Sequence, residues 1–409
     1  MSSAWRLHPT VLLMASAHMM VDGYGNILAP LLPLLITRLD LSLAAAGTMT
    51  MLFQLSASVA QVGFGQLADR WRPRLLVMAG PVLAVLVLSC VGLATTPLML
   101  ASILIVGGLG GAAFHPPAAT LAHKLGGDHP GFAMSVYISG GTLGFALGPL
   151  MFAPFVQQFG MHWTPVLAVP GLVVVAFFLA RVPAFGWSSH ESQGLRSLRP
   201  YAKPLGLLYA IVVLRTMTAI AFATFLPVML TRQGMSIGRA GAVVAVYLFA
   251  SGVGGFFGGP AADRWGPKQV IAWSLALSCP FLFAAPQLHG AAFMITLAIG
   301  GFFLQSTLPV NVVFGQAIAP VSAATVSSLM MGFAWGTGGM SVPLTGYVAD
   351  RIGIEATLVG LSFVPLLAAA CALPLPNRAL RPGGPSDPRT HEPPEPQPLG
   401  PSDPPPVVR

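Results

Sequence analysis

His18 and Asp22 stand four residues apart inside one apolar run. On a helix they would share a face, with Cβ atoms about 6 Å apart. His115 and Arg215 lie equally deep in two other apolar runs, and every other Lys, Arg, Asp and Glu falls in a loop, at the end of an apolar run or in the C-terminal tail. A carboxyl group beside an imidazole can take up and release a proton, and the imidazole can donate to it or compete for that proton. Arginine keeps its charge, and its planar fork of donors fits carboxylate or phosphonate oxygens. A charge inside a bilayer costs several kcal/mol unless it is paired or hydrated, so side chains of this kind face a water-filled cavity and act there.

Plainer roles stay open for each. His18 and Asp22 could be a structural pair that holds the first span to a neighbour. His115, which precedes Pro116 and Pro117, could cap or pack; the prolines predict a helix break that could line a cavity. Arg215 sits about 11 residues into its run, near mid-bilayer, and could form an internal ion pair with Asp22.

The elements that must carry these residues are apolar helices. The chain has 409 residues, 55% of them hydrophobic and 8% charged, with a mean hydropathy of +0.76. A soluble domain carries about 25% charged residues, so a water-facing surface is excluded. Apolar stretches of about 20 residues recur along the chain and predict an all-α membrane protein. Twelve spans are expected, near 10–36, 44–68, 74–93, 98–122, 132–159, 163–182, 204–231, 240–262, 268–287, 291–317, 322–349 and 355–374. The runs do not alternate, which excludes a β-barrel.

The basic residues orient the spans. With the N-terminus in the cytoplasm, the outer loops hold only Arg38, Arg232, Arg239 and Arg351, while the inner segments hold all the others except Arg215. The positive-inside rule therefore predicts that both termini are cytoplasmic. The net charge of +8 follows from this bias and requires no nucleic-acid partner. Ala15-Ser16-Ala17 looks like a cleavage site, but the run before it is short and the helix continues, so the first span is read as uncleaved. Cys90, Cys279 and Cys371 sit apart in separate runs and are read as packing residues.

The organisation is two six-helix halves, 1–182 and 204–374, with a polar cytoplasmic linker at 183–203 and a Pro-rich, disordered tail at 375–409. A word repeats at matching places: Gly65-Gln66-Leu67-Ala68-Asp69-Arg70 after the second span, Gly259-Pro260-Ala261-Ala262-Asp263-Arg264 after the eighth. A third copy, Gly346-Tyr347-Val348-Ala349-Asp350-Arg351, follows the eleventh. An Asp at one helix end can accept hydrogen bonds from the N-terminal amides of a neighbouring helix. Gly65, Asp69, Arg70, Gly259, Asp263 and Arg264 are therefore read as a conformational latch, the alternative being loop anchors. Glycines spaced by four, including Gly140/Gly144/Gly148, Gly254/Gly258 and Gly255/Gly259, predict close helix contacts.

Residues 65–74 and 259–268 resemble the hallmark loop of the major facilitator superfamily, with Arg72 where a second glycine is expected. Within it, the chain resembles the fosmidomycin resistance family of bacterial exporters. The words that carry this are Ser16-Ala17-His18-Met19-Met20-Val21-Asp22, Phe53-Gln54-Leu55, Ala113-Phe114-His115-Pro116, Gly140-Gly141, Gly148-Pro149-Leu150 and Phe333-Ala334-Trp335-Gly336-Thr337. The resemblance implies the major facilitator fold, a monomer in the bacterial inner membrane, and a central cavity lined by spans 1, 4, 7 and 10. It also implies a proton-driven exporter of a small anionic or zwitterionic compound such as a phosphonate. Asp22 and His18 are the proton-coupling candidates. Arg215 and His115 are the substrate-binding candidates, with Gln54, Tyr137, Gln305, Asn311 and Tyr247 as neutral hydrogen-bonding groups. The proton gradient would be the energy source, without a cofactor. The same residues would also serve a symporter of an organic acid, or a receptor that binds without transport. The spacing shows no metal-ligand cluster, no phosphate-cradling loop and no nucleophile motif, so an enzyme is not expected.

Overall fold

In a computed structural model the chain is helical, and the described residues are 8–70, 73–126, 130–182, 195–320 and 323–376. No strand occurs among them. The first run is two helices, α1 (Pro9–Gly25) and α2 (Leu28–Leu39), meeting at Asn26 and Ile27. Then come α3 (Leu43–Arg70), α4 (Pro73–Ser89), α5 (Pro97–Leu125), α6 (Pro130–Phe159) and α7 (Ala168–Arg181). The later part of the chain supplies α8 (Ala202–Arg232), α9 (Ile237–Trp265), α10 (Pro267–Ala284) and α11 (Gly290–Ile318), and the short helices α12 (Ala323–Ser327), α13 (Ala334–Gly339), α14 (Val342–Ile352), α15 (Ile354–Leu361) and α16 (Val364–Ala372).

Local chemistry explains the boundaries. The Thr96 side chain accepts the Met99 N–H and Pro97 opens α5, while Ser236 caps α9 in the same way. Proline at a first helical position forgoes an N–H that has no partner there. Gly266, at φ 93°, makes the sharp turn between α9 and α10, a backbone region that costs glycine little.

Eleven helical stretches among the described residues are long and apolar enough to cross a membrane. The expected span at 322–349 is not among them. It is broken by a π-turn over Ser328–Phe333 and again around Met340 and Ser341, before Pro343. Glycines at 332, 336, 338 and 339 weaken helical order there, and a π-turn displaces the regular hydrogen-bond ladder. The interior of the predicted linker at 183–194 and the tail from 377 lie outside the described residues.

Large apolar side chains remain exposed, among them Leu98 at 77%, Phe256 at 70% and Trp273 at 68%. That surface would aggregate in water and suits hydrocarbon. Inside, glycine ladders bring backbones together. A Cβ on Gly140 would strike the Ala15 carbonyl, one on Gly144 the Met19 carbonyl, and one on Gly148 the Gly23 carbonyl, so α6 lies flat along α1. Gly254 and Gly258 press α9 against Phe302 and Ser306 of α11 in the same manner, whereas Gly259 meets nothing within 4 Å. Of the two registers written in α9, Gly254/Gly258 makes the contact. Across the middle of the chain, α6 packs on α9, α13 and α14 pack on α3, and α2 packs on α8.

Candidate functional site

Two polar clusters lie in different parts of this helical body. The first is built on α1, α5 and α6. His18 Nε2 lies 3.2 Å from Asp22 Oδ2, and His115 Nε2 lies 3.3 Å from Asp22 Oδ1. The two imidazoles thus face opposite oxygens of one carboxylate. His18 Nδ1 is 2.8 Å from the Tyr137 carbonyl oxygen. A carbonyl only accepts, so Nδ1 carries the hydrogen. The His18 ring also stacks on the Tyr137 ring, with centroids 4.2 Å apart. Tyr137 therefore acts through its carbonyl and its ring, while its hydroxyl is buried without a partner.

Gly141 makes room for the group. A Cβ there would come within 2.5 Å of both Asp22 Oδ2 and His18 Nε2. The side chains of His18 and Asp22 are 10% and 12% exposed, and that of His115 is 23% exposed, so the cluster opens on the His115 side. The break expected at Pro116 does not occur: α5 runs unbroken through Pro116 and Pro117. Proline removes a donor without ending the helix when the surrounding packing holds it. His18, Asp22 and His115 also bring three atoms of metal-ligating type within 4.8 Å of one another. The spacing could not reveal this, since the third ligand comes from another helix.

The second cluster is centred on Arg215 of α8, which is fully buried. Its Nη1 donates to Gln305 Oε1 of α11, its Nη2 donates to Thr216 Oγ1 at 3.0 Å, and its Cζ lies 5.5 Å from the centre of the Trp335 ring on α13. No carboxylate pairs with it among the described residues. The alternative of an Arg215–Asp22 ion pair is not what forms: the partners of Asp22 are histidines. Arg215 Nε, Tyr247 Oη, Ser251 Oγ and both amide atoms of Asn311 are buried without hydrogen-bond partners. Tyr247 and Ser251 face Gly301, where a Cβ would lie 2.8 Å from the Ser251 hydroxyl and from the Tyr247 ring, one helical turn from Gln305. Sequence reasoning missed Ser251, Thr216 and Trp335 as site residues; a tryptophan within a glycine-rich apolar word was the available signal. Gln54, on α3, packs beside Gly339 of α13, next to Gly338, which packs on Thr216.

The latch chemistry is found at the third copy of the Asp-Arg word. Asp350, at the end of α14, accepts the N–H groups of Leu43 and Ala44 at 2.9 and 3.0 Å, capping the first turn of α3. Gln157, at the end of α6, accepts the Gly238 N–H at 2.8 Å and so caps α9. At the first copy, a Cβ added to Gly65 would meet Pro116 only at ordinary contact distance, and the side chains of Asp69 and Arg70 lie outside the described residues. At the second, Asp263 and Arg264 are exposed, with Arg264 over the Trp265 ring at 5.6 Å.

A helical membrane body with two buried polar clusters defines a class of protein, and the comparisons agree. A model described as the Major Facilitator Superfamily matches residues 14–238 and 207–404. The chain belongs to that superfamily, and is a multi-pass membrane protein of a transporter family, not an enzyme family. It is 28% identical over 394 residues to the uncharacterized MFS-type transporter YfnC of Bacillus subtilis, covering 92% of this chain and 95% of that one. It is 27% identical over 368 residues to the fosmidomycin resistance protein of Escherichia coli, covering 86% and 89%. Among solved structures, a bacterial homolog of the human lysosomal transporter Spinster, inward-facing and occupied, overlays with a TM-score of 0.75 at 16% identity, over 88% of this chain and 95% of that one.

Proposed function

We propose that this chain is a proton-coupled exporter of a small anionic or zwitterionic solute, of the chemical class of phosphonates, in a bacterial inner membrane. In this reading the broken segment at 323–352 completes a set of twelve spans. Both termini are cytoplasmic, and the halves 1–182 and 204–374 rock about the two polar clusters.

The observation that carries the reading is the state of Arg215. A permanent charge is fully buried with only neutral partners. A buried cation of this kind is costly until an anion joins it, and an anion that crosses the membrane can do so transiently. Tyr247, Ser251 and Asn311 add unused buried donors that a solute with several oxygens would engage. The similarity to the fosmidomycin resistance protein supports the phosphonate class. Proton coupling is assigned to Asp22 with its two imidazoles, the acid–base group on the opposite half. Under the proposed topology the caps made by Asp350 and Gln157 lie on the outer face, so this conformation is the one closed to the outside.

Equilibrium binding of radiolabelled fosmidomycin to purified protein tests the anion site. Truncating one side of a buried charged contact costs about 2–5 kcal/mol, so Arg215→Ala should weaken binding by about 30-fold or more. Equal affinity in wild type and Arg215→Ala would overturn the assignment. Binding of gallate or another carboxylate in place of the phosphonate, dependent on Arg215, would move the substrate to an organic acid.

A further inference from the structure

We propose that His18, Asp22 and His115 form a binding site for a divalent transition-metal ion of the zinc class, reached from the side on which His115 is exposed. The inference goes beyond anion transport and does not rest on it.

The ligand set comes first. Two imidazole nitrogens and one carboxylate are donors that suit zinc, cobalt and nickel, and three protein ligands with a fourth position open is the arrangement of an accessible zinc site. The spacing brings the donors to one place. Bonds of about 2.0–2.1 Å in a tetrahedral set place neighbouring ligand atoms roughly 3.3 Å apart. Each imidazole nitrogen lies at 3.2 or 3.3 Å from its own oxygen of Asp22, so the carboxylate would bind through both oxygens. One ligand atom from each of the three residues lies within 4.8 Å of the others, a gap that the ion would close by drawing the two imidazoles together.

The outer support is also present. His18 Nδ1 donates to the Tyr137 carbonyl, which leaves the Nε2 lone pair turned toward Asp22. Metal-bound histidines are oriented by this kind of bond from the second ring nitrogen to a carbonyl. The stacked Tyr137 ring and the empty space at Gly141 fix the His18 ring and keep bulk away from the ligand atoms. A lone pair facing a carboxylate oxygen is repulsive unless a cation stands between them. A proton on the imidazole meets that need, and so does a metal ion, which would use both histidines at once. The metal and the proton therefore compete for the same groups.

The test uses the full chain, purified in detergent without a histidine tag and loaded with cobalt chloride. One cobalt ion per chain is expected, with the visible ligand-field bands of a low-coordinate nitrogen–oxygen site. The bands should be displaced by zinc and absent in His115→Gln, which leaves the α1–α6 glycine ladder untouched. X-ray absorption of the zinc-loaded wild type needs no variant, and should show two imidazoles with oxygen ligands completing the shell. Wild type that takes up no cobalt, bands that persist in His115→Gln, or a zinc shell with fewer than two imidazoles would each overturn the site. Because binding is read without any flux, such a result would leave the anion-transport reading standing.

Discussion

Asp350 accepts the backbone N–H of Leu43 at 2.9 Å, tying the end of α14 to the start of α3. The Ala44 N–H joins the same carboxylate at 3.0 Å. Gly346 and Gly47 seat the contact, because a Cβ on either would strike the backbone of the other segment. A carboxylate at a helix N-terminus satisfies two donors that have no partner in the helix and lies where the helix dipole favours negative charge.

Removing that cap should loosen one closed face. An N-cap truncation costs about 0.5–2 kcal/mol, so Asp350→Ala should speed hydrogen exchange at the Leu43 and Ala44 amides by about 2- to 30-fold. Exchange followed by mass spectrometry reads this directly. Unchanged protection would mean that the glycine packing alone holds the face.

Gly141 should be intolerant in a particular way. A methyl group there reaches Asp22 and His18 but spares the backbone ladder of Gly140, Gly144 and Gly148. Gly141→Ala should therefore abolish solute-driven proton movement while the protein still melts cooperatively in detergent. Gly144→Val should instead force α6 off α1, at a typical overpacking cost of about 1–3 kcal/mol, and lower the melting temperature. If both variants lower it equally, Gly141 belongs to the packing ladder and has no special relation to the acid–base group.

Arg215 and Gln305 should separate charge from geometry. Arg215→Lys keeps the charge but loses the planar fork, so solute affinity should fall yet remain above that of Arg215→Ala. Gln305→Ala removes one hydrogen bond to a charged group, worth about 1.5–3 kcal/mol, and should raise the solute KM by roughly 10- to 100-fold. A Gln305→Ala enzyme-like profile with unchanged KM and lowered maximal rate would point to a role in the conformational step instead.

Much of this arrangement was readable in advance. The pairing of His18 with Asp22 follows from four-residue spacing on one helix, and hydropathy located every long span. The glycine spacing in α6 foretold a close helix contact, though not that its partner would be α1. What was not readable depended on contacts between distant helices. His115 joins Asp22 only because α5 and α6 pack against α1, and the partner of Arg215 is Gln305 because the long guanidinium turns toward α11. The 323–352 segment is richer in glycine and less apolar than its neighbours, but hydropathy reports composition and carries no signature of a π-turn. The Asp-Arg words were recognisable as helix-end groups, yet only the fold decided that Asp350 would cap α3.

The central claim is that movement of an anion is tied to movement of a proton through Asp22. The most direct measurement is proton flux in proteoliposomes loaded with a pH-sensitive dye, for wild type and Asp22→Asn, as fosmidomycin is added. The account predicts solute-dependent proton movement in wild type and none in Asp22→Asn, with solute binding retained. Solute crossing without proton movement, or wild-type proton flux in Asp22→Asn, would contradict it.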